Sequence, residues 1–335
     1  MKSAPRTASW KMNALFGGLF GLLVLFSINP TLLSEASVSF LEGMQSFKTM
    51  LIGILLEALP FLLLGVFVSS FMHVFIPEAW FRRMIPRNPL LGILVACLLG
   101  VLFPICECGL IPVVRRLIAK GMPLYVGVVF IFVGPIVNPI VFASTYAAFR
   151  TKPEMVYARM GLAIAVGLLL GWIVYYFIRS DPMRSAKGHG AGAAGHSHAR
   201  NRLVETFEHA GGEFFDMGKY LILGSLITAA IQAYVPRSDL AGIGQGEFAS
   251  HFFMMGFAFL LSLCSNSDAF VASSFASTFS AGSLLAFLVF GPMLDIKSAL
   301  MLLSLFKTRF VLLLTGLIAI SVFLGAWFIG DHYLN

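Results

Sequence analysis

The chain has 335 residues, of which 58% are hydrophobic and 12% are charged, and its mean hydropathy is +0.88. This composition excludes a soluble globular domain and indicates that the lipid bilayer is the solvent of the folded chain. The formal net charge of +7 does not indicate nucleic acid as a partner, because the basic residues lie mainly in short clusters between apolar runs.

Residues 1–46 are predicted to form an extra transmembrane helix and a loop. Basic residues precede an apolar run from Ala14 to Ile28. With Ser34-Glu35-Ala36 after it, the run also resembles a secretory signal and its cleavage site. We favour an anchoring helix, because the segment lies outside the internal repeat described below.

Residues 47–178 form the first predicted permease repeat, with apolar runs at Met50 to Phe75, Leu90 to Ile105, Leu124 to Phe149 and Met160 to Ile178. The run that ends at Ile105 is short, because a polar insert begins there. A broken or re-entrant helix is expected at such a point, with its freed backbone facing protein or water instead of lipid.

This insert carries two cysteines on either side of a carboxylate, Cys106-Glu107-Cys108. Thiolates select soft metal ions, and a carboxylate in an apolar setting is costly unless it is paired or protonated. Pro104 and Pro112 are expected to prevent a regular helix in this stretch. The pattern predicts a substrate-binding site at Cys106, Glu107 and Cys108, with both cysteines as candidate metal ligands.

Glycine and proline residues are expected to break the helices next to polar side chains. Unwound carbonyls bind cations and helix N-termini bind anions, so such breaks are typical of a transport path. Asn138, which follows one break, could coordinate a cation or orient an anion through its amide. The predicted helix-breaking residues are Pro104, Gly109, Gly134, Pro135, Gly291 and Pro292.

Residues 179–212 are predicted to be a mobile linker, because glycine and small residues there cannot bury enough surface to offset chain entropy. Its histidines, His189, His196 and His198, could capture a borderline cation such as zinc. Alternatively, the histidines are incidental in a polar linker, because three scattered side chains do not form a closed site.

Residues 213–335 form the second predicted repeat, with apolar runs at Tyr220 to Val235, Phe252 to Leu263, Leu284 to Leu305 and Phe310 to Ile329. Glycine, proline, cysteine and polar residues of the first repeat have counterparts in the second repeat at a nearly constant distance along the sequence. The pairs are Gly65 with Gly224 (224 − 65 = 159), Cys106 with Cys264 (264 − 106 = 158), and Pro135 with Pro292 and Asn138 with Asp295 (both 157). The chain is therefore predicted to contain two related halves.

The second insert places Cys264, Asn266 and Asp268 at the depth of the first insert. Cys264 would supply a third thiol if the halves meet, and Asn266 and Asp268 are further candidate substrate ligands. Asp295 is another candidate, close to Lys297. These two form either a buried ion pair or, together with Asp268, a proton-coupling group.

The distribution of basic residues predicts the topology. If both cysteine regions dip into the membrane and return, most Lys and Arg residues, Arg115 and Arg116 among them, share the side of the N-terminus. If both regions cross, this bias nearly disappears. The positive-inside tendency therefore favours re-entrant segments, inverted repeats and a cytoplasmic N-terminus in a bacterial inner membrane.

The motifs CECGLIPV, GMPL and GPIVNPI, followed by CSNSDAFVASSF and AFLVFGPMLDIK, carry a resemblance that covers Glu57 to Leu305. The chain resembles the bacterial predicted-permease family that contains YraQ, YcgR and the organoarsenical efflux permeases, and the YcgR-like branch most closely. The resemblance implies a polytopic inner-membrane permease of two related halves, and a second membrane protein as a partner.

The sequence therefore predicts an all-α polytopic membrane protein that acts as a secondary transporter, moving a small solute by alternating access at a midplane site. No cofactor is expected, and a soft or borderline metal ion or a metalloid is the expected substrate class. Efflux of organoarsenicals or other thiol-reactive molecules is the alternative. We do not expect an enzyme: a membrane-embedded thiol redox enzyme is disfavoured because the chain has no CxxC motif. A non-transporting subunit remains the third possibility.

Overall fold

The computed structural model describes residues 38–75, 88–102, 105–178, 202–234 and 246–334. Its regular elements are α-helices. The first half contains α1 (Val38–Phe75), α2 (Pro89–Leu102), α3 (Glu107–Ala119), α4 (Leu124–Val133), α5 (Pro139–Ala148) and α6 (Glu154–Phe177). The second half contains α7 (Arg202–Tyr234), α8 (Glu247–Leu261), α9 (Ser267–Ser274), α10 (Ala281–Met293), α11 (Ile296–Leu305) and α12 (Thr308–Tyr333).

Several predicted features lie outside the described residues, namely the apolar run 14–28, Pro104 and the linker histidines His189, His196 and His198. The linker also differs from the prediction at its end. Residues 202–212, which the sequence assigned to the linker, belong to α7, and this helix continues through the two glycines Gly211 and Gly212. Tertiary packing of α7 along α1 offsets the low helix propensity of those glycines.

The helix bounds repeat along the chain with the spacing of the sequence repeat. The second-half helix α11 starts and ends 157 residues after α5 (296 − 139 and 305 − 148). The first residues of α10 and α4 also differ by 157 (281 − 124), and those of α8 and α2 differ by 158 (247 − 89). The two halves therefore contain corresponding helices in the same order.

Among the residues that the structure describes, five helical segments are long and apolar enough to cross a membrane: Gly43–Phe71, Glu154–Phe177, Ala210–Ala233, Ala281–Leu305 and Thr308–Tyr333. Large apolar side chains are exposed on several helices, for example Leu56, Leu94 and Leu324. Exposed leucines are expected where lipid is the solvent. The prediction of an all-α polytopic membrane protein is confirmed.

The predicted apolar run from Leu124 to Phe149 is divided into two short helices, α4 and α5, with Gly134 and Pro135 in the interruption. The second half differs from the prediction, because α10 continues through Gly291 and Pro292 and ends at Met293. The chain becomes extended only at Leu294, with φ −148° and ψ 112°. Pro292 lies one residue before the end of α10, so the bond and the distortion that a proline costs fall at the end of the helix and do not divide it.

Gly109 and Pro112 were also expected to interrupt a helix, and both lie inside α3. Gly109 instead permits close packing: a Cβ on Gly65 of α1 would lie 2.4 Å from the Gly109 carbonyl oxygen. The hydroxyl of Ser69, one turn further along α1, donates to the Pro112 carbonyl over 3.2 Å. Contacts with α1 therefore hold α3 as a helix in spite of its glycine and proline.

The short helices at the inserts connect the two halves. In the first connection α3 packs on α11, and in the second α5 packs on α9. The almost fully buried α10 lies among α8, α12 and α6. The long helices α1 and α7 pack along each other, so residues of both halves surround the centre of the protein.

Candidate functional site

The candidate site lies where the four short helices begin. Glu107 starts α3 and Ser267 starts α9, directly after the two cysteine-containing inserts. Asn138 and Asp295 are the N-cap residues of α5 and α11. Helix N-termini carry a partial positive charge, which favours acidic side chains at these positions.

The first group of charged side chains, here called the Glu107 cluster, consists of Glu107, Asp295 and Lys297. Glu107 is 5% exposed, Asp295 is 0% exposed and Lys297 is 5% exposed. The Lys297 Nζ lies 3.6 Å from the Asp295 Oδ2. Glu107 is close enough to both residues to interact with them electrostatically. The cluster therefore joins the first half, through α3, to the second half, through α11.

Asp295 is held in place by a capping box at the start of α11. Its Oδ1 accepts a hydrogen bond of 2.6 Å from the Ser298 backbone N–H, while the Ser298 hydroxyl accepts one of 3.0 Å from the Asp295 N–H. The other carboxylate oxygen, Oδ2, has no hydrogen-bond partner among the described residues, and the same is true of Glu107 Oε2. Asp295 Oδ2 faces the ammonium group of Lys297, so Glu107 Oε2 is the carboxylate oxygen of this cluster that has capacity to bind a proton or a cation.

The charge balance of the Glu107 cluster depends on such an addition. Two carboxylates face one ammonium group, so full ionisation would leave one net negative charge in a buried setting. An unpaired buried charge costs several kcal/mol after relaxation. A proton or a bound cation would remove this excess.

Ser262 connects the second insert to the Glu107 cluster. It ends α8 in the left-handed conformation, with φ 48° and ψ 45°. Its hydroxyl accepts a hydrogen bond of 3.2 Å from the Ile296 N–H, next to Asp295. A non-glycine residue in this conformation costs about 1–3 kcal/mol, and such strain is typical of functional sites.

The second group, here called the Arg159 cluster, consists of Arg159, Thr145, Ser265 and Asp268. Arg159 of α6 is 0% exposed. Its Nη1 donates a hydrogen bond of 2.7 Å to Thr145 Oγ1 on α5, and its Nη2 donates one of 2.9 Å to the Ser265 carbonyl in the second insert. Asp268, 2% exposed, is an electrostatic partner of the guanidinium.

The Arg159 cluster also contains unused hydrogen-bonding capacity. Arg159 Nε, Asn266 Oδ1 and Asp268 Oδ2 are buried without a hydrogen-bond partner in the described part of the chain. Few buried polar atoms in proteins lack a partner, so these positions are expected to bind water, an ion or a solute. Asp268 also interacts electrostatically with Asp295 and Lys297, which makes the two clusters neighbours in one polar centre.

The cysteines lie at the edge of this centre. Cys106 is half-buried and precedes α3, and its side chain is within hydrogen-bonding distance of the buried Cys108. Cys264 is half-buried and close enough to Glu107 to interact with it electrostatically. The described residues contain no group of three or more His, Cys, Asp and Glu side chains that could hold a metal ion.

The expected metal site of Cys106, Cys108 and Cys264 is therefore not formed in this structure. The helix that follows the first two cysteines, α3, packs mainly on α1 and α4, whereas Cys264 precedes α9, which packs mainly on α5 and α10. A ligand set made of the three cysteines stays a prediction.

Asn138 does not offer its amide to a solute in this conformation. Its Oδ1 accepts a hydrogen bond of 2.9 Å from the Val141 N–H, and its Nδ2 donates one of 3.1 Å to the Pro135 carbonyl. The side chain is thus used to start α5, as Asp295 starts α11. The two equivalent residues share a capping role, but only Asp295 has a second oxygen that faces a charged group, the ammonium of Lys297.

Sequence reasoning did not identify Arg159, because this residue directly precedes the apolar run from Met160 to Ile178, where charged residues commonly mark a membrane boundary. The signal was present: α6 begins at Glu154, so Arg159 lies within the membrane-spanning helix, where an ionisable residue indicates function. Arg116 was likewise interpreted as a topology residue. In the structure its Nε lies 3.2 Å from the buried Glu213 Oε2, which also accepts from Ser69 Oγ over 3.1 Å.

Comparison with known proteins gives consistent matches over most of the chain. The model of the ArsP_1 family, described as predicted permease, matches residues 43–330. The UPF0718 protein YcgR of Bacillus subtilis is 48% identical over 291 residues, covering 87% of this chain and 98% of that protein. A putative two-component membrane permease complex subunit of Streptococcus mutans is 37% identical over 283 residues, covering 83% and 93% respectively.

No solved structure matches the chain significantly. The family match spans both inserts and both clusters, and permease family membership favours a transporter over an enzyme. With its membrane-spanning helices, the protein is a multi-pass membrane permease by family and by architecture. The chain belongs to the ArsP_1 family of predicted permeases.

Proposed function

We propose that the chain is a secondary transporter that moves a small solute by alternating access at the polar centre between its two halves. The observation that supports this most is the pair of clusters at the contacts α3–α11 and α5–α9. Each combines buried ionisable groups from both halves with unpartnered polar atoms at the ends of short helices. Substrate and coupling-ion sites in transporters are typically built in this way, from broken helices at a repeat interface.

The proposed solute carries a soft atom, such as a metal ion or a metalloid, that the adjacent thiols of Cys106 and Cys108 can capture. Sulfur ligands favour such species over hard cations. The carboxyl group of Glu107 between them would balance the charge of the cargo. Efflux of an organoarsenical or another thiol-reactive molecule would use the same pair of thiols.

We propose the Glu107 cluster as the coupling group of the transporter. Asp295 and Lys297 form a buried ion pair, and Glu107 adds a carboxyl group that this pair cannot fully balance. Uptake of one proton neutralises the excess, so the charge of the cluster can alternate with solute occupancy. Asp268, paired with Arg159, is the second candidate for the same role.

The proposed topology places the N-terminus in the cytoplasm and the two halves in inverted orientation across a bacterial inner membrane. We further propose that the chain works with a second membrane subunit. The support comes from the relative in Streptococcus mutans, which is named as a subunit of a two-component membrane permease complex.

Flux measurements in proteoliposomes test the transport proposal. The purified full-length protein, with any co-purifying subunit, would be assayed with zinc, Cu(I), arsenite and methylarsenite. Cys106→Ser, Cys108→Ser and Asp295→Asn are each expected to reduce flux strongly. Cys97→Ser is the matched control, because Cys97 is a buried cysteine on α2 outside both clusters. Wild-type flux in all three site variants would contradict the proposed site.

A further inference from the structure

The two contacts between the halves differ in what covers their outer sides. The α3–α11 contact is covered by α1 and α7: Gly65 of α1 lies against Gly109, and a Cβ on Gly224 of α7 would lie 2.9 Å from the Lys297 Cα. The α5–α9 contact has no such cover among the described helices. The main neighbours of α5 are α6 and α9, and those of α9 are α5 and α10.

Residues at equivalent positions of the two halves differ in how much of their surface is exposed. Ile140 of α5 is 52% exposed, whereas Lys297, its equivalent on α11 (297 − 140 = 157), is 5% exposed. Phe270 of α9 is 52% exposed, whereas its equivalent on α3, Pro112 (270 − 112 = 158), is buried. The same structural unit is thus enclosed by two long helices at one contact and bare at the other.

Lipid is a poor cover for the bare contact. α5 has 10 residues and α9 has 8, so each is about 12–15 Å long, roughly half of the hydrocarbon core. The first residues of α5, Pro139 and Ile140, are exposed. Pro139 has no N–H and the Val141 N–H is capped by Asn138, so the reason is length: a helix that spans only half of the core begins or ends at membrane depth, where non-helical backbone is tolerated only against protein or water.

The exposed side chains at this contact are large and mostly aromatic. We define the α5–α9 face by four residues, which are 52%, 38%, 53% and 52% exposed: Ile140, Phe142, Tyr146 and Phe270. Aromatic residues that fill pockets of a partner contribute most of the energy at protein interfaces. The α3–α11 contact indicates which structure could cover the α5–α9 face. It is covered by two apolar membrane helices, α1 and α7, which place the small residues Gly65 and Gly224 at the closest approach.

We infer that the second membrane subunit docks on the α5–α9 face through such a pair of helices, and this inference rests on the two-component complex proposed above. Docking there would enclose the outer side of the Arg159 cluster, as α1 and α7 enclose the outer side of the Glu107 cluster. The subunit would therefore complete the enclosure of the polar centre and would not merely be tethered to its periphery.

Site-specific photocross-linking in the membranes of the native host tests this inference. A photoreactive amino acid would replace Ile140, Tyr146 or Phe270, one at a time, in the full-length chain. Leu94 of α2 and Leu324 of α12 are matched controls, because they are 62% and 52% exposed on other faces. Cross-linked products would be identified by mass spectrometry and compared with the membrane protein that co-purifies with the wild-type chain at fixed stoichiometry.

The expected result is a cross-link to that co-purifying subunit from the three face positions and not from Leu94 or Leu324. Phe270→Ala is expected to weaken co-purification by about tenfold or more, as truncation of an aromatic anchor does, whereas Leu324→Ala leaves it unchanged. Cross-links from the face to lipid only, to residues 1–37 of the same chain or to a second copy of the chain would overturn the inference.

The outcomes also separate this inference from the proposal on which it rests. If no second membrane protein co-purifies with the wild-type chain, the two-component complex itself fails. If a second subunit co-purifies but its cross-links arise at Leu94 or Leu324 and not at the α5–α9 face, the complex stands and only its docking site is wrong.

Discussion

Arg159 of α6 donates a hydrogen bond of 2.9 Å to the carbonyl oxygen of Ser265, so a fully buried guanidinium of the first half binds the backbone of the second insert. A second bond, of 2.7 Å, goes to Thr145 on α5. The three elements α5, α6 and the second insert are therefore held together by one side chain. Any motion that separates the halves at this contact must break the bond to Ser265, whereas the bond to Thr145 lies within the first half.

Replacement of Arg159 is expected to destabilise the protein and abolish transport. Arg159→Ala would remove the hydrogen bonds to Thr145 and Ser265, and a hydrogen bond from a charged group contributes about 1.5–3 kcal/mol. Thermal unfolding in detergent would measure the loss, with the exposed Arg150→Ala as the control. The double variant Arg159→Met with Asp268→Asn should recover part of the stability, because it removes both charges, but not transport. Equal unfolding temperatures for Arg159→Ala and Arg150→Ala would contradict this role.

Glu107→Gln is expected to uncouple transport from the proton gradient. The substitution removes the carboxylate that Lys297 cannot balance, so the Glu107 cluster no longer gains or loses a proton during the cycle. Solute flux into proteoliposomes would be compared with and without an imposed pH gradient. Wild-type flux should respond to the gradient and Glu107→Gln flux should not, while the exposed Glu154→Gln serves as the control. A gradient response in Glu107→Gln equal to that of the wild type would assign coupling elsewhere.

Gly65→Ala is expected to destabilise the packing of α1 on α3. The added Cβ would lie 2.4 Å from the Gly109 carbonyl oxygen and 2.5 Å from its Cα, and backbone on both helices must move to admit it. Overpacking of this kind costs about 1–3 kcal/mol. Gly53→Ala on the same helix is the control, because its Cβ would meet nothing within 4 Å. The melting temperature should fall for Gly65→Ala alone, and equal values for the two variants would be inconsistent with the packing described.

Two substitutions of Ser262 distinguish the contribution of its hydroxyl hydrogen bond from the energetic cost of its left-handed backbone conformation. Both Ser262→Ala and Ser262→Gly lose the hydroxyl that accepts from the Ile296 N–H. Only glycine adopts the left-handed conformation without strain, a difference of about 1 kcal/mol. Ser262→Ala should therefore unfold at a lower temperature than Ser262→Gly, and both should lose transport if the hydroxyl positions Asp295. The reverse order of stability would exclude a left-handed Ser262.

The all-α membrane class of the protein and its internal repeat were predictable from the sequence, because each depends on a pattern that spans many residues. Apolar runs report membrane helices wherever lipid is the solvent, and the offset of 157 between Asn138 and Asp295 reappears between α5 and α11. Local effects on the backbone were not predictable in this way. Gly109 and Pro112 are helix-breaking by propensity, but packing against α1 through Gly65 and Ser69 keeps them inside α3.

The composition of the centre was only partly predictable. Glu107, Asp268, Asp295 and Lys297 were identified because charged residues inside apolar stretches are costly. The sequence could not reveal which of them meet, because that depends on the packing of α3 on α11 and of α5 on α9. Arg159 was missed because it lies just before an apolar run, where charged residues commonly mark a membrane boundary.

Alternating access at the polar centre is the central claim, and the labelling of Cys106 tests it most directly. In a background of Cys97→Ser and Cys264→Ser, which keeps the pair Cys106 and Cys108, a membrane-impermeant thiol reagent would be added to one side of oriented vesicles at a time, and the labelled cysteine would be identified by mass spectrometry. The side from which Cys106 is labelled should change when the pH gradient is reversed or solute is added. Labelling from the same single side under every condition would contradict alternating access.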